Sequence, residues 1–245
     1  MKRITTRAGE LDVHVLEPEA GAPADVGQAP RLVVLAHGFG APGTDLVPLA
    51  RELVALEPRL ASARFAFPVG PIDLAPLGMW GGRAWFPIDL EALDMANRSG
   101  RSDVLAAAEP PGLALARKKL RVAVQALMAP MGIGWSEVVL GGFSQGAMTT
   151  LDLALKLEEA PRAVVLFSPT LVDAEGTRRV AKTRDGLPVF VSHGRQDPLL
   201  PFAATERLVA LLVEAGVRAE LMAFDGPHTI PFEALRGAAR AMVRG

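Results

Sequence analysis

The fold of this chain is decided by residues 137–150, which read EVVLGGFSQGAMTT. An apolar run leads into a Gly-x-Ser-x-Gly pattern centred on Ser144, and a segment with helical spacing follows as far as residue 157. In this pattern the serine occupies a strained turn between a strand and a helix, and Gly142 and Gly146 remove side chains that would collide there. The stretch therefore predicts a strand, a tight turn and a helix that together raise the Ser144 hydroxyl above one edge of a sheet.

Further apolar runs alternate with helically spaced segments on both sides of this unit. The runs, which predict strands, lie at residues 32–36, 64–67, 163–167, 188–192 and 219–223. The helical segments lie at residues 45–56, 112–128, 146–157, 201–215 and 231–243. Parallel strands need crossover connections, which place helices over the sheet. The sequence therefore predicts an α/β fold with a mostly parallel central sheet, helices on both faces, and an N-terminal edge hairpin at residues 4–6 and 11–16.

The length of 245 residues suffices for one α/β core, so we expect residues 1–245 to form a single domain. Residues 17–30 predict an exposed loop rich in proline and small residues. Residues 69–101 are rich in proline, glycine and aromatic residues, with only a short helical stretch near residues 89–97. So long an excursion in a compact domain is expected to cover the pocket or to form its wall.

Composition excludes several classes of function. Lys and Arg total 26 against 27 Asp and Glu, so no net field attracts nucleic acid or an anionic membrane. The absence of cysteine excludes disulfides, thiolate metal sites and a cysteine nucleophile. The first seven residues lack the apolar run of a secretory signal, and no stretch reaches the ~18 apolar residues of a membrane span. We expect a cytoplasmic protein without stable membrane insertion that acts on a small molecule; a homo-oligomer stays open.

A serine hydroxyl needs a base to act as a nucleophile at neutral pH, and the chain offers four histidines. His14 lies on the polar face of the predicted edge strand, His37 precedes a glycine-rich loop, and His193 belongs to the turn after residues 188–192. His228 follows the last predicted strand and precedes the last helix. With Asp197 as the acid, the chain order is nucleophile, acid, base. This is the order expected when the serine lies in a Gly-x-Ser-x-Gly turn between a strand and a helix, so we predict His228 as the base.

The acid must hold one imidazole nitrogen so that the other faces the serine. Asp197 follows the strand at residues 188–192 closely and is our prediction for this role. Asp173 also follows a strand, but the charged run at residues 175–184 suggests a solvated position. Asp225 lies only three residues before His228 and is interpreted as a turn former or a supporting residue.

Charge on a tetrahedral intermediate requires hydrogen-bond donors. The backbone N–H of Gln145, directly after the serine, is the first predicted donor. The second is expected in the loop His37-Gly38-Phe39-Gly40, which follows the first buried strand. We predict the Phe39 N–H, because glycines on both sides free the backbone to approach the substrate.

Five stretches of the chain together resemble the phospholipase/carboxylesterase family, which includes the acyl-protein thioesterases. They are His37-Gly38-Phe39-Gly40, Trp85-Phe86-Pro87-Ile88, Gly141-Gly142-Phe143-Ser144-Gln145-Gly146, His193-Gly194-Arg195-Gln196-Asp197-Pro198 and His228. The resemblance implies the α/β-hydrolase fold, the triad Ser144, Asp197 and His228, donors at Phe39 and Gln145, and no cofactor. It also implies that the Trp85-Phe86 segment lines the acyl pocket.

Two departures from the family pattern concern the acyl pocket. The family usually has an acidic residue after Trp-Phe, where this chain has Pro87, and the segment between residues 76 and 85 is the chain's own. Both fall where acyl specificity is set, so protein depalmitoylation does not follow from the resemblance. We predict that Trp80, Trp85 and Phe86 form an apolar slot for the acyl chain.

The predicted function is that of a serine carboxylesterase, which hydrolyses carboxylic esters of short to medium acyl chains through an acyl-enzyme, without metal or cofactor. Acyl-thioester hydrolysis and lysophospholipid cleavage need the same triad and stay open as alternatives. A binding protein that kept the fold after losing catalysis is the alternative from another class. Labelling with a fluorophosphonate probe separates this last alternative from the enzymes.

Overall fold

The computed structural model describes residues 1–18, 29–99 and 104–244. Most of the predicted loop at residues 17–30, and residues 100 and 101 of the predicted excursion, lie outside the described residues. Within them, no helix is both long and apolar enough to cross a membrane.

The described residues form ten strands: β1 (Lys2–Ala8), β2 (Leu11–Glu17), β3 (Leu32–Ala36), β4 (Arg64–Pro68), β5 (Ile72–Asp73), β6 (Arg83–Ala84), β7 (Val138–Phe143), β8 (Ala163–Phe167), β9 (Pro188–Gly194) and β10 (Arg218–Phe224). Eight of them make one sheet in the order β1-β2-β4-β3-β7-β8-β9-β10, and β5 pairs with β6 separately. The neighbours from β4 to β10 are parallel, whereas β1 and β2 form an antiparallel hairpin at one edge. The predicted sheet with its N-terminal edge hairpin is confirmed.

Seven α-helices connect the strands: α1 (Leu49–Leu56), α2 (Leu90–Arg98), α3 (Leu113–Met128), α4 (Gln145–Lys156), α5 (Ala174–Ala181), α6 (Phe202–Glu214) and α7 (Phe232–Arg244). Short 3-10 helices lie at Pro58–Ser62, Ala75–Leu77, Val104–Ala106, Ala129–Met131 and Trp135–Glu137. These numbers refer to the part of the chain that the structure describes.

Side chains of the central strands point alternately into two apolar cores, one on each face of the sheet. In β3, Leu32, Val34 and Ala36 belong to the core that includes buried side chains of α3, α4 and α6. Val33 and Leu35 belong to the opposite core, with buried side chains of α1 and α7. Because both faces are covered, the central strands are apolar throughout, and the loops at their carboxyl ends are left to form a site.

Two elements were not expected from the sequence. Helix α5 falls in the charged run that we interpreted as a solvated segment. Only two of its residues, Gly176 and Ala181, are buried. The small sheet of β5 and β6 lies within the excursion, and strands of two residues leave no periodic pattern to detect.

Candidate active site

Ser144 lies between β7 and α4 with a backbone φ of 53° and ψ of −119°, a conformation that few side chains tolerate. The flanking glycines are required by the backbone of β3. A Cβ on Gly142 would lie 2.5 Å from Ala36 O, and one on Gly146 would lie 2.1 Å from the same oxygen. The predicted strained turn is therefore present, and the N-terminus of α4 begins directly after Ser144.

The loop after β3 lies beside the serine. A Cβ on Gly38 would lie 3.4 Å from the Cβ of Ser144, so the two backbones approach closely. Gly40 N donates to Arg83 O at 2.9 Å, which fastens the loop to β6. Among the described residues the Phe39 N–H has no hydrogen-bond acceptor, as expected for a donor reserved for a substrate oxygen.

His37 fixes the conformation of this loop and is itself fully buried. Its Nδ1 lies 2.7 Å from Gly38 O, and its Nε2 lies 2.8 Å from the amide of Gly70. A carbonyl only accepts and an amide only donates, so the ring is neutral, with its hydrogen on Nδ1. Burial lowers the pKa of His37, which is consistent with the neutral form.

Asp197 and His228 meet at the carboxyl edge of the sheet, after β9 and β10. His228 Nδ1 donates to Asp197 Oδ2 at 2.5 Å. The other carboxylate oxygen, Oδ1, accepts from the amides of Leu199 and Leu200, each at 2.9 Å. The Asp197 side chain has no exposed surface, and that of His228 is 11 % exposed. The structure thus gives His228 a carboxylate partner that leaves Nε2 available for the substrate side.

The imidazole of His228 packs beside the nucleophile turn. Its ring centroid lies 4.6 Å from that of Phe143, the residue directly before Ser144. Within the described part of the chain, no hydrogen bond joins His228 to Ser144. Such bonds are often long in enzymes without substrate and form when substrate binds.

Electrostatics keep the Asp197 carboxyl ionised. Burial alone would raise the pKa of this carboxyl, but hydrogen bonds from His193, His228 and the Leu200 amide outweigh burial and hold the pKa well below its usual range. The contact with His193 was not expected, because the sequence placed that residue in a turn. It is the penultimate residue of β9 and fully buried.

The competing acids have other tasks. The Asp173 carboxylate caps α5, accepting from Gly176 N at 3.1 Å. Asp225 is 84 % exposed, and its nearest charged partner is Arg195, 3.8 Å away. No cluster of three or more metal-ligating side chains occurs among the described residues.

The three residues predicted to line an acyl slot differ in exposure. Trp80 is 87 % exposed, whereas Trp85 and Phe86 are buried. The Trp85 indole N–H donates to His37 O at 2.9 Å, so this ring supports the loop after β3 from within the protein. A buried indole N–H needs such an acceptor. Contact of the three with substrate stays a prediction.

The side chain of Gln145 has a role that sequence reasoning missed. Its Oε1 accepts from Trp85 N at 2.8 Å, and its Nε2 donates to Phe86 O at 2.7 Å. One amide therefore ties the end of the excursion to the first turn of α4. No sequence signal marks this role, because the burial of Gln145 and its two partners are visible only in the fold.

Comparison with known proteins agrees with this geometry. The model of the Phospholipase/Carboxylesterase family matches residues 24–241. The chain belongs to this family. The family resemblance and the α/β-hydrolase fold predicted from the sequence are thereby confirmed.

Similar family members are enzymes by name. The chain is 30% identical to acyl-protein thioesterase 1 of Eremothecium gossypii over 71% of this chain and 68% of that protein. It is 28% identical to a probable carboxylesterase of Oryza sativa subsp. japonica over 83% of each. The crystal structure of esterase PE8 matches with a TM-score of 0.75 and 30% identity, covering 92% of this chain and 94% of PE8. The protein is thus a hydrolase of the phospholipase/carboxylesterase family.

Proposed function

We propose that this family member is a serine carboxylesterase that hydrolyses carboxylic esters of short to medium acyl chains through an acyl-enzyme. The observation that carries the proposal is the buried Asp197–His228 pair beside the strained turn of Ser144. We further propose a single domain and a cytoplasmic location.

In the first half of the reaction, Ser144 Oγ attacks the ester carbonyl while His228 Nε2 takes the hydroxyl proton. Asp197 stabilises the imidazolium that results. The N–H groups of Phe39 and Gln145 and the N-terminus of α4 stabilise the negative charge that develops on the carbonyl oxygen. His228 then gives its proton to the departing alkoxide, which leaves as the alcohol and yields the acyl-enzyme.

In the second half, a water molecule replaces the alcohol. His228 takes one proton from the water molecule while the water oxygen attacks the carbonyl carbon of the acyl-enzyme. His228 then gives that proton to Ser144 Oγ as the carboxylic acid leaves. The same two donors stabilise the second tetrahedral intermediate.

Acyl-thioester hydrolysis is the second candidate. It is favoured by the similarity to acyl-protein thioesterase 1 of Eremothecium gossypii. The residues and steps are the same, and a thiolate leaves in place of the alkoxide. Measuring kcat/KM for matched esters and thioesters of acetyl, butyryl and octanoyl groups decides between the two.

The first prediction concerns the nucleophile. Ser144→Ala is expected to lower kcat for p-nitrophenyl esters by about 10⁴-fold or more, since the triad acts as a unit. It should also abolish covalent labelling by a fluorophosphonate, with an unchanged circular dichroism spectrum. Ser136→Ala, at an exposed serine outside the site, is the matched control and should label like the wild type. Labelling of Ser144→Ala, or a tenth of wild-type turnover, would exclude the assignment.

A further inference from the structure

A second histidine contacts the triad carboxylate. His193 Nε2 lies 3.1 Å from Asp197 Oδ2, the oxygen that also accepts from His228. Both the His193 and the Asp197 side chains have no exposed surface. The reaction steps described above do not use His193.

The surroundings of His193 determine where its hydrogen lies. Nε2 faces Leu200 O at 2.9 Å as well as Asp197 Oδ2, and neither oxygen has a hydrogen to donate. Nε2 must therefore carry the hydrogen. On the other side of the ring, Nδ1 lies 2.8 Å from the Thr205 hydroxyl, which in turn lies 2.6 Å from Pro169 O. The imidazole is held from both sides.

With His193 included, each oxygen of the Asp197 carboxylate has two polar neighbours. Oδ1 accepts from the Leu199 and Leu200 amides, and Oδ2 accepts from His228 Nδ1 and lies 3.1 Å from His193 Nε2, whose hydrogen also faces Leu200 O. Without His193, Oδ2 would be buried with His228 as its only described partner. Rotation about the Cβ–Cγ bond, which carries His228 away from Ser144, would then be opposed only by the two amide bonds to Oδ1 and by the bond to His228 itself.

We propose that His193 is a positioning residue of the triad, which donates its Nε2–H to Asp197 Oδ2 and fixes the plane in which that carboxylate holds His228. The proposal rests on the proposed triad. His193 does not touch the substrate, so its contribution belongs to kcat and not to substrate binding.

Two substitutions separate this hydrogen bond from packing. His193→Leu introduces an apolar side chain of similar volume and removes the donor. His193→Gln keeps an N–H near the position of Nε2. Hydrogen bonds to charged groups correspond to about a ten- to hundredfold change in rate. We expect His193→Leu to lower kcat for butyryl ester by that factor with KM within about twofold, and His193→Gln to recover most of the loss.

Phe202→Leu is the control, because Phe202 packs edge-on against His193, with ring centroids 6.0 Å apart, and has no polar group to donate to Asp197. It should leave kcat within about twofold. Equal losses in His193→Leu and His193→Gln, or a loss in His193→Leu that falls on KM alone, would overturn the proposal.

Nuclear magnetic resonance on ¹⁵N-histidine-labelled protein tests the contact without activity. Four histidines give four imidazole signal sets, which single histidine-to-glutamine variants assign. We expect His193 to carry a hydrogen on Nε2, and Asp197→Asn to shift the signals of His193 and His228 but not those of His14 and His37. An unprotonated Nε2, or unmoved His193 signals, would overturn the proposal. Failure of the wild type to react with fluorophosphonate would instead overturn the proposed function.

Discussion

Ser144 holds a strained backbone conformation while all of its peptide groups stay bonded. Its amide donates to Phe167 O at 2.9 Å, and its carbonyl accepts from Met148 N at 3.1 Å. A left-handed conformation at a residue with a side chain costs about 1–3 kcal/mol. These bonds and the close contacts of Gly142 and Gly146 with β3 offset that cost, so the hydroxyl stays raised above the sheet edge.

The neutral state of His37 makes stability depend on pH. Burial lowers its pKa in the folded protein, whereas the unfolded chain binds a proton below about pH 6.5. Since the unfolded state then holds more protons, stability is fully present above pH 6.5 and falls as the pH falls, by at most about 1.4 kcal/mol per pH unit. We expect the urea-unfolding free energy of the wild type to decrease between pH 7.5 and 5.5 and that of His37→Gln to decrease less.

Ser136→Ala, which removes no titratable group, serves as the control and should keep the wild-type slope. The pKa of His14 is also lowered, by partial burial and by Arg3, so His14 contributes to the slope that remains in His37→Gln. The lowered pKa of Asp197 acts in a more acidic range, because its stabilisation is lost only as the pH falls below about 4. Equal pH slopes in the wild type and in His37→Gln would refute a neutral His37 in the folded protein.

At the residue scale, the sequence points to single residues and not to their contacts. A motif and a chain order single out Ser144, Asp197 and His228 as the proposed triad. The bonds of His193 to Asp197 and of Gln145 to the Trp85-Phe86 segment join positions far apart in the sequence or hidden inside a strand. No local pattern encodes such pairs, so only the folded backbone reveals them.

Among the elements, the end of the excursion acts as a support for the loop that carries Phe39. Trp85 bonds to that loop through its indole N–H and to Gln145 through its backbone N–H. Arg83, two residues earlier, bonds to Gly40 N. Through these bonds the excursion stiffens the loop that carries Phe39.

Trp85→Phe tests this support. The change leaves a smaller aromatic ring and removes the donor to His37 O, which corresponds to a net hydrogen bond of about 0.5–1.5 kcal/mol. We expect kcat/KM to fall by about two- to tenfold, and by the same factor for acetyl, butyryl, octanoyl and palmitoyl esters, because the loop serves every substrate. Trp135→Phe, at a buried tryptophan next to β7, should leave all four values unchanged. A loss confined to the long chains would instead indicate that Trp85 reads the acyl chain.

The bounds of the strands were predicted best where a strand is buried on both faces. Strands β3 and β8 begin and end where the apolar runs at residues 32–36 and 163–167 begin and end, since parallel central strands are buried on both faces. Strand β7 continues beyond its apolar run through two glycines, which pair with β3 without side chains. Helix α5 was missed because its eight residues are mostly polar or small, so the charged run hid the few apolar positions that mark a helix.

Across the whole molecule, the parallel sheet brings the loops after β3, β7, β9 and β10 to one edge, where they supply Phe39, Ser144, Asp197 and His228. The hairpin of β5 and β6 reaches the same place from the excursion after β4. Met79 in its turn packs on the loop after β3, since a Cβ on Gly40 would lie 2.6 Å from Met79 Cε. Trp80, the next residue, is therefore exposed beside the site and is our remaining candidate for contact with the acyl chain.

Trp80→Ala tests whether the hairpin selects the acyl chain. Each methylene held against an apolar surface is worth about 0.8 kcal/mol, or roughly fourfold in kcat/KM. We expect Trp80→Ala to leave acetyl ester hydrolysis within about twofold and to lower octanoyl ester hydrolysis by about tenfold, so that the ratio of the two kcat/KM values falls. Folding should not change, because an 87 % exposed side chain contributes little to the core.

Val213→Ala is the matched control for Trp80→Ala, since Val213 is also an exposed apolar residue but lies in the last turn of α6, which leads to the amino end of β10 at the opposite edge of the sheet. If exposed apolar surface acted only by general attraction of long-chain esters, both variants would lower the octanoyl to acetyl ratio equally. A contact specific to the hairpin lowers the ratio in Trp80→Ala alone. An unchanged ratio in Trp80→Ala would mean that the acyl chain does not contact Trp80.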